Sequence, residues 1–183
     1  MTQTNSPKNK NRILVLGILT GFVLATGAML ASGYMIAATN KDTFCVSCHA
    51  MKPFRSAWKN SKHGMRNAKG LAAQCTDCHL PHDGLINYVT TKAYTGARDI
   101  INNLIIDPYE YDWVRRAEAR REFTYDSSCR ACHQNLTPQG MRTAGILAHR
   151  EYLLGDLDKR CVDCHKHVGH KNLKTEVRNY FGG

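Results

Sequence analysis

The sequence predicts a mainly α-helical and irregular fold: a single N-terminal transmembrane helix followed by a small domain with little apolar core of its own. An uncharged run of 28 residues, Ile13 to Asn40, follows Lys8, Lys10 and Arg12. A helix needs roughly 20 apolar residues to cross the hydrocarbon core of a bilayer. The remaining 143 residues show no sustained alternation of apolar and polar positions, the mark of a half-buried strand. All eight cysteines instead fall in four copies of one pattern, Cys-x-x-Cys-His.

The copies are Cys45-Val-Ser-Cys48-His49, Cys75-Thr-Asp-Cys78-His79, Cys129-Arg-Ala-Cys132-His133 and Cys161-Val-Asp-Cys164-His165. Two thiols three positions apart reach the two vinyl groups along one porphyrin edge and form thioethers, and the adjacent histidine then lies under the iron. Paired cysteines also build zinc ribbons, but zinc does not require a histidine after the second cysteine of every pair. Nine of 183 residues are histidine, so four such placements by chance have a probability of roughly 10⁻⁵. The sequence therefore predicts four covalently bound haem c groups in a small multihaem cytochrome c domain. They supply the apolar mass that so polar a chain lacks. Each haem also carries two propionates, so the formal charge of +10 falls to about +2 in the holoprotein, and the basic composition is no sign of nucleic-acid binding.

Residues 1–12 form a polar tail expected to be unstructured and cytoplasmic, because the basic flank precedes the apolar run. Residues 13–39 form a signal-anchor helix. They are too long for a cleavable signal peptide, whose apolar stretch is about 7–15 residues, although Ala37-Ala38 resembles a cleavage site. Residues 40–183 are the exported domain, on the periplasmic side of a bacterial inner membrane. Motif one follows the membrane helix almost at once, so its haem is expected near the outer membrane surface. Leu85–Ile106 repeats apolar residues at helical spacing (Leu85, Val89, Ala93, Ala97, Ile100, Ile101, Leu104) and should end at Asp107-Pro108. Trp113–Phe123 reads as a second short helix with a solvated arginine face, and His167–Gly183 as a short basic tail.

Four haems take up to eight axial ligands, and nine histidines are present. The motif residues His79, His133 and His165 are proximal ligands. Of the others, His63, His170 and His149 are the candidate distal ligands, because two imidazoles per iron suit a low-potential carrier. His170 stands five residues beyond His165, far enough to reach a neighbouring haem. His82 is a candidate partner for a propionate, and His167 is the spare. Met51, two residues after His49, is held near the first iron by the covalent attachment; as a ligand it would raise that haem's potential. Whether His49 or Met51 takes that position stays open on the residues alone.

The pattern Cys45-x-x-Cys48-His49-x-Met51-x-Pro53, with Trp58, Ser61 and His63, resembles the NapC/NirT family of membrane-anchored tetrahaem quinol dehydrogenases. Cys75-x-x-Cys78-His79-x-Pro81, the Gly96-Ala97-Arg98-Asp99 step and Cys164-His165-Lys166-x-Val168-x-His170 extend the match from Ile13 to His170. Within the family the chain most resembles the NrfH type, the small subunit of cytochrome c nitrite reductase. The resemblance implies Met51 in place of His49 on haem one, and a quinol site beside it bordered by Lys92 and Asp99. It implies His63 as distal ligand of haem four and His170 of haem three. Haem two takes either a histidine near His149 or a lysine from a partner subunit.

The resemblance implies oxidation of menaquinol or ubiquinol at the membrane and electron transfer through four haems to a periplasmic multihaem reductase, the nitrite reductase large subunit. Other periplasmic reductases, and a tethered shuttle without a quinol site, are the alternatives. Lys92 and Asp99 lie seven residues apart, on one side of the predicted helix. Without the resemblance such a pair would read as ordinary surface charge.

Overall fold

A computed structural model describes residues 7–65, 67 and 70–182, so the first six residues of the expected tail lie outside it. Every regular element among the described residues is helical. The chain divides into two compact units, Met1–Asn40 and Lys41–Gly183.

The first unit is one helix, α1 (Pro7–Thr39). It starts six residues before the expected Ile13. Proline suits the first helical position, where its missing N–H has no intrahelical acceptor to lose, and the following polar residues continue the helix instead of forming an unstructured tail. Its 33 residues span about 50 Å at 1.5 Å per residue, more than the roughly 30 Å of a bilayer's hydrocarbon core. Its most apolar stretch has a mean hydropathy of 2.3. A helix apolar on all sides needs lipid or a protein core around it. The Ser32 and Thr39 hydroxyls donate to the carbonyls of Ala28 and Met35 at 2.8 and 2.7 Å, so these polar groups are satisfied within the helix.

The second unit strings short helices between loops. In order they are α2 (Asp42–Cys45), a 3-10 turn (His49–Met51), α3 (Lys52–Lys59), α4 (Thr76–His79) and α5 (Leu85–Ile105), then α6 (Trp113–Arg116) and a second 3-10 turn (Arg120–Glu122). After these come α7 (Asp126–Cys132), α8 (Thr143–Leu154), α9 (Cys161–Cys164) and α10 (Leu173–Phe181). Helix α5 follows its apolar spacing and gives way to extended backbone at Ile106, ahead of Asp107-Pro108.

Two expectations are corrected. Trp113–Phe123 is not one helix, and two of its arginines, still half-exposed, are engaged in ion pairs instead of forming a free solvated face. Arg116 pairs with Glu122 at 2.8 Å and lies 4.5 Å over the Phe123 ring, while Arg121 Nε donates to both Asp163 carboxylate oxygens at 2.8 and 2.9 Å. These contacts bend the segment back on itself. The C-terminal stretch is likewise more than a short basic tail. From Leu173 it forms α10, which packs on α3 and α6 and places Val177 at 1 % exposure.

The polypeptide core is small. Ala57, Trp58, Leu80, Val162 and Val177 are its buried hydrophobic residues, with Pro53 and Pro81 beside them. Hydrogen bonds lock the few elements that meet there: Trp58 Nε1 donates to the Ala73 carbonyl at 2.9 Å, and Ser128 Oγ to that of Leu80 at 2.5 Å. The turn after α3 is closed so tightly that a Cβ on Gly64 would stand 1.8 Å from the Trp58 carbonyl oxygen. Gly64→Ala must therefore open the turn beside His63. We expect a melting midpoint lower by roughly 5–10 °C in thermal scans of the holoprotein; an unchanged midpoint would show that the turn yields freely.

Candidate haem-binding and quinol site

Each motif lies on or beside a single helical turn. Cys45 ends α2 and Cys48 precedes the 3-10 turn that begins at His49. Cys75 caps α4, which ends at His79. Cys129 and Cys132 lie on α7 with His133 as its C-cap, and Cys161 and Cys164 bound α9 with His165 as its C-cap. Positions three apart on such a turn project from the same side, which directs both thiols of a pair toward one porphyrin edge. No disulfide joins any of the eight cysteines.

The motifs are neighbours in chain order. The Cys45 and Cys75 thiols share a hydrogen bond that pushes Cys45 down to about 7 and raises Cys75. Cys78 is raised by burial and, more weakly, by the charges of Asp77 and Cys132. Cys129 and Cys161 also share a hydrogen bond, and burial together with the Asp126 carboxylate pushes Cys161 up to about 12. Motif one thus abuts two, two abuts three, and three abuts four.

Six histidine rings form three facing pairs. Their centroids lie 6.1 Å apart for His79 and His170, 5.9 Å for His133 and His63, and 6.0 Å for His165 and His149. A metal–imidazole bond of about 2 Å on each side, plus about 1 Å from each nitrogen to its ring centre, places bis-imidazole centroids about 6 Å apart. The gaps therefore fit an iron. Backbone carbonyls orient three of the rings: His63 Nδ1 bonds the Val168 oxygen at 3.2 Å, His79 Nδ1 that of Phe123 at 2.6 Å, and His170 Nδ1 that of Phe54 at 3.0 Å. A ring donating from Nδ1 presents a bare Nε2 to the metal. Burial also lowers His79 and, with repulsion from His79, pushes His170 down to about 4, so both stay neutral as ligands must be.

These pairs differ from those the resemblance implies. His63 faces the motif-three histidine rather than motif four, and His170 faces motif two rather than motif three. His149 faces motif four, not motif two. The reason is the path of residues 167–171 across α3. His63 N–H donates to Val168 O at 3.3 Å and Lys171 N–H to Ala57 O at 3.1 Å, which carries His170 over His79. His82 packs edge-on against Tyr88 at 5.9 Å, and His167 is exposed.

Motif one is different. Among the described residues no histidine ring faces His49. Its Nε2 lies 2.9 Å from the Tyr109 hydroxyl, and the Tyr180 hydroxyl lies 3.3 Å from its Nδ1. Met51 closes the 3-10 turn at 37 % exposure.

The proposed quinol pair is split along α5. Burial lowers the Lys92 ammonium and the Cys45 charge partly offsets this, which sets Lys92 beside motif one. Asp99 lies about 10 Å further along the helix at 1.5 Å per residue. It pairs with Arg98 at 3.4 Å, is 67 % exposed, and its field falls on His79 of motif two. The two residues share a helix side but address adjacent motifs.

Three features test the fit of haem to this chain, and each agrees: a meagre polypeptide core, unpaired thiols on single turns, and imidazoles held at iron-bridging distance. The donors do not suit bare zinc, since among the described residues no three His, Cys, Asp or Glu side chains gather at one point.

Comparison with known proteins agrees with this construction. The model of the NapC/NirT cytochrome c family, N-terminal region, matches residues 7–175. The tetraheme c-type cytochrome CymA of Shewanella oneidensis is 32 % identical over 90 % of this chain and 93 % of its own. The cytochrome c nitrite reductase subunit NrfH of Nitratidesulfovibrio vulgaris is 30 % identical over 95 % and 94 %. TorC of Escherichia coli is 29 % identical over 96 % of this chain, which spans only 47 % of TorC. The crystal structure of a cytochrome c nitrite reductase NrfHA complex bound to the HQNO inhibitor aligns with a TM-score of 0.56 at 28 % identity, over 84 % of this chain and 90 % of that one. With its four haem motifs, its three facing histidine pairs and a family match across nearly its whole length, the chain belongs to the NapC/NirT family of cytochromes c.

Proposed function

We propose that the chain is a membrane-anchored quinol dehydrogenase that passes electrons through four haems to a periplasmic reductase. The observation that carries this reading is the series of neighbouring motifs, three with facing imidazoles and one, beside Lys92, without. The haems, when bound, carry the electrons one at a time from quinol to the partner. The protein holds and orients them: His79 with His170, His133 with His63, and His165 with His149 as axial ligands, Met51 as the ligand of the first iron, and the eight cysteines as thioether anchors.

At the membrane end, Lys92 holds a quinol oxygen and stabilises the negative charge that develops as the proton leaves. Asp99, two turns further along α5, accepts the proton of the quinol's opposite hydroxyl. Its exposure gives the proton a way out to solvent. The basic flank of α1 supports, by the positive-inside rule, a cytoplasmic N-terminus and a periplasmic second unit at a bacterial inner membrane.

The names of NrfH and of the NrfHA complex favour the large subunit of cytochrome c nitrite reductase as the electron acceptor. One observation favours a second reading, donation to another reductase or to several. His170 supplies the second site's distal ring from within this chain, so that site does not depend on a lysine from a fixed partner.

Two experiments test the reading. In detergent-solubilised holoprotein, Asp99→Asn should slow menaquinol-analogue oxidation roughly 10²-fold and Lys92→Met should chiefly weaken quinol binding, with haem content and dithionite reduction unchanged. Wild-type rates in both would remove the pair from the quinol site. For the ligands, His63→Met and His133→Met should perturb one and the same low-spin signal in electron paramagnetic resonance, and His170→Met and His79→Met a different one. Signals that pair otherwise would overturn the assignment.

A further inference from the structure

His49 sits next to Cys48, so a covalently attached haem keeps its imidazole within reach of the first iron at high effective concentration. Imidazole also stabilises ferric iron better than a thioether does. Met51 can hold the position only if something restrains His49. Two hydroxyls converge on its ring from distant parts of the sequence. Tyr109, in the loop between α5 and α6, reaches Nε2 at 2.9 Å, with ring centroids 5.9 Å apart. Tyr180, in the last turn of α10, approaches Nδ1 at 3.3 Å and Nε2 at 3.4 Å, with centroids 5.3 Å apart.

Both tyrosines are held by neighbouring groups. The Tyr109 N–H donates to Asp107 Oδ1 at 2.8 Å, and its ring meets the Phe181 ring edge-on at 5.7 Å. Tyr180 meets Phe181 at 4.9 Å, and Phe181 stacks on Trp113 at 5.4 Å with 16° between planes. Trp113 in turn donates from Nε1 to the Pro108 carbonyl at 2.6 Å and packs on Phe54 at 5.6 Å. The two hydroxyls are thus fixed to one aromatic stack, seated on α3 by the buried Val177.

We propose that Tyr109 and Tyr180 form a latch that engages the ring nitrogens of His49 and keeps it off the first iron, leaving that axial position to Met51. They are positioning residues. The nitrogen that would bind iron, Nε2, is the one Tyr109 holds. The proposal rests on the reading of Met51 as ligand, and the test separates the two.

In full-length holoprotein, the first haem is followed by near-infrared magnetic circular dichroism, whose charge-transfer bands distinguish methionine from histidine ligation, and by redox titration. Tyr109→Phe combined with Tyr180→Phe keeps both rings and removes both hydroxyls. The expected result is a change of the first haem alone, from the methionine-type signal to a histidine-ligated one, with a lower reduction potential. Adding His49→Ala to the double variant should restore the original signal, a rescue that general loosening of the stack would not produce. A double variant with wild-type signal and potential overturns the latch, as does a shift that His49→Ala fails to reverse. If the double variant loses haem, Tyr109→Phe alone decides on the same criteria, because Tyr109 is 57 % exposed and its hydroxyl holds Nε2. Met51→Leu is the separate arm. If it leaves the signal unchanged, the ligand reading fails and the latch with it. If Met51→Leu alters the signal while the tyrosine variants do not, the latch alone fails.

Discussion

Three pairs of imidazoles held about 6 Å apart set the terms for nearly everything else in the second unit. An iron between two rings tolerates little error in their separation, so each ring must be placed by something stiffer than its own side chain. For His63, His79 and His170 the device is a backbone carbonyl. This explains why segments far apart in sequence are tied together where so few apolar side chains are buried. Residues 167–171 lie across α3 because two hydrogen-bonding rings, one on each segment, need the other's carbonyl.

The same economy explains the short helices. Four-residue elements such as α4 and α9 have almost no stability alone, since helix nucleation is unfavourable and the first turns return little. Here they act as brackets that present two thiols and a histidine. Asp163, inside the fourth motif, accepts from the Arg160 N–H at 2.6 Å and binds Arg121 from the second 3-10 turn. Asp126 accepts from the Cys161 N–H at 3.0 Å and from the Tyr152 hydroxyl at 2.7 Å, joining α7, α8 and α9. Charged residues beside the cysteines hold the brackets in register, the role an apolar core plays elsewhere.

Much of this was legible in the chain itself, because covalent chemistry leaves a local trace. The cysteine spacing, the apolar run and the period of α5 depend on near neighbours in sequence, and all three appear as read. The ring partners do not. His63 and Val168 are 105 residues apart, and no local pattern says which motif lies under which distal ring. Helix α10 was missed for a different reason. Leu173, Val177 and Phe181 recur four apart, a helical signal, but it is short and set among lysines and arginines that suggest a solvated tail. Tyr109 and Tyr180 bear no mark at all, since a tyrosine in a loop or in the last turn of a short helix belongs to no periodic pattern.

The carbonyl anchors are unevenly shared. At the second site both rings donate from Nδ1, to Phe123 and Phe54; at the third only His63 does so, to Val168. At the fourth, among the described residues, neither ring has such an acceptor, and His149 Nδ1 is buried without a hydrogen-bond partner. A ring that shares its Nδ1 proton with a carbonyl gains anionic character and gives the iron more charge, which favours the ferric state. With the ligand pairs proposed above, these hydrogen bonds favour the ferric state at the second site more than at the fourth. The peptide backbone thus gives the sites unequal holds on an electron.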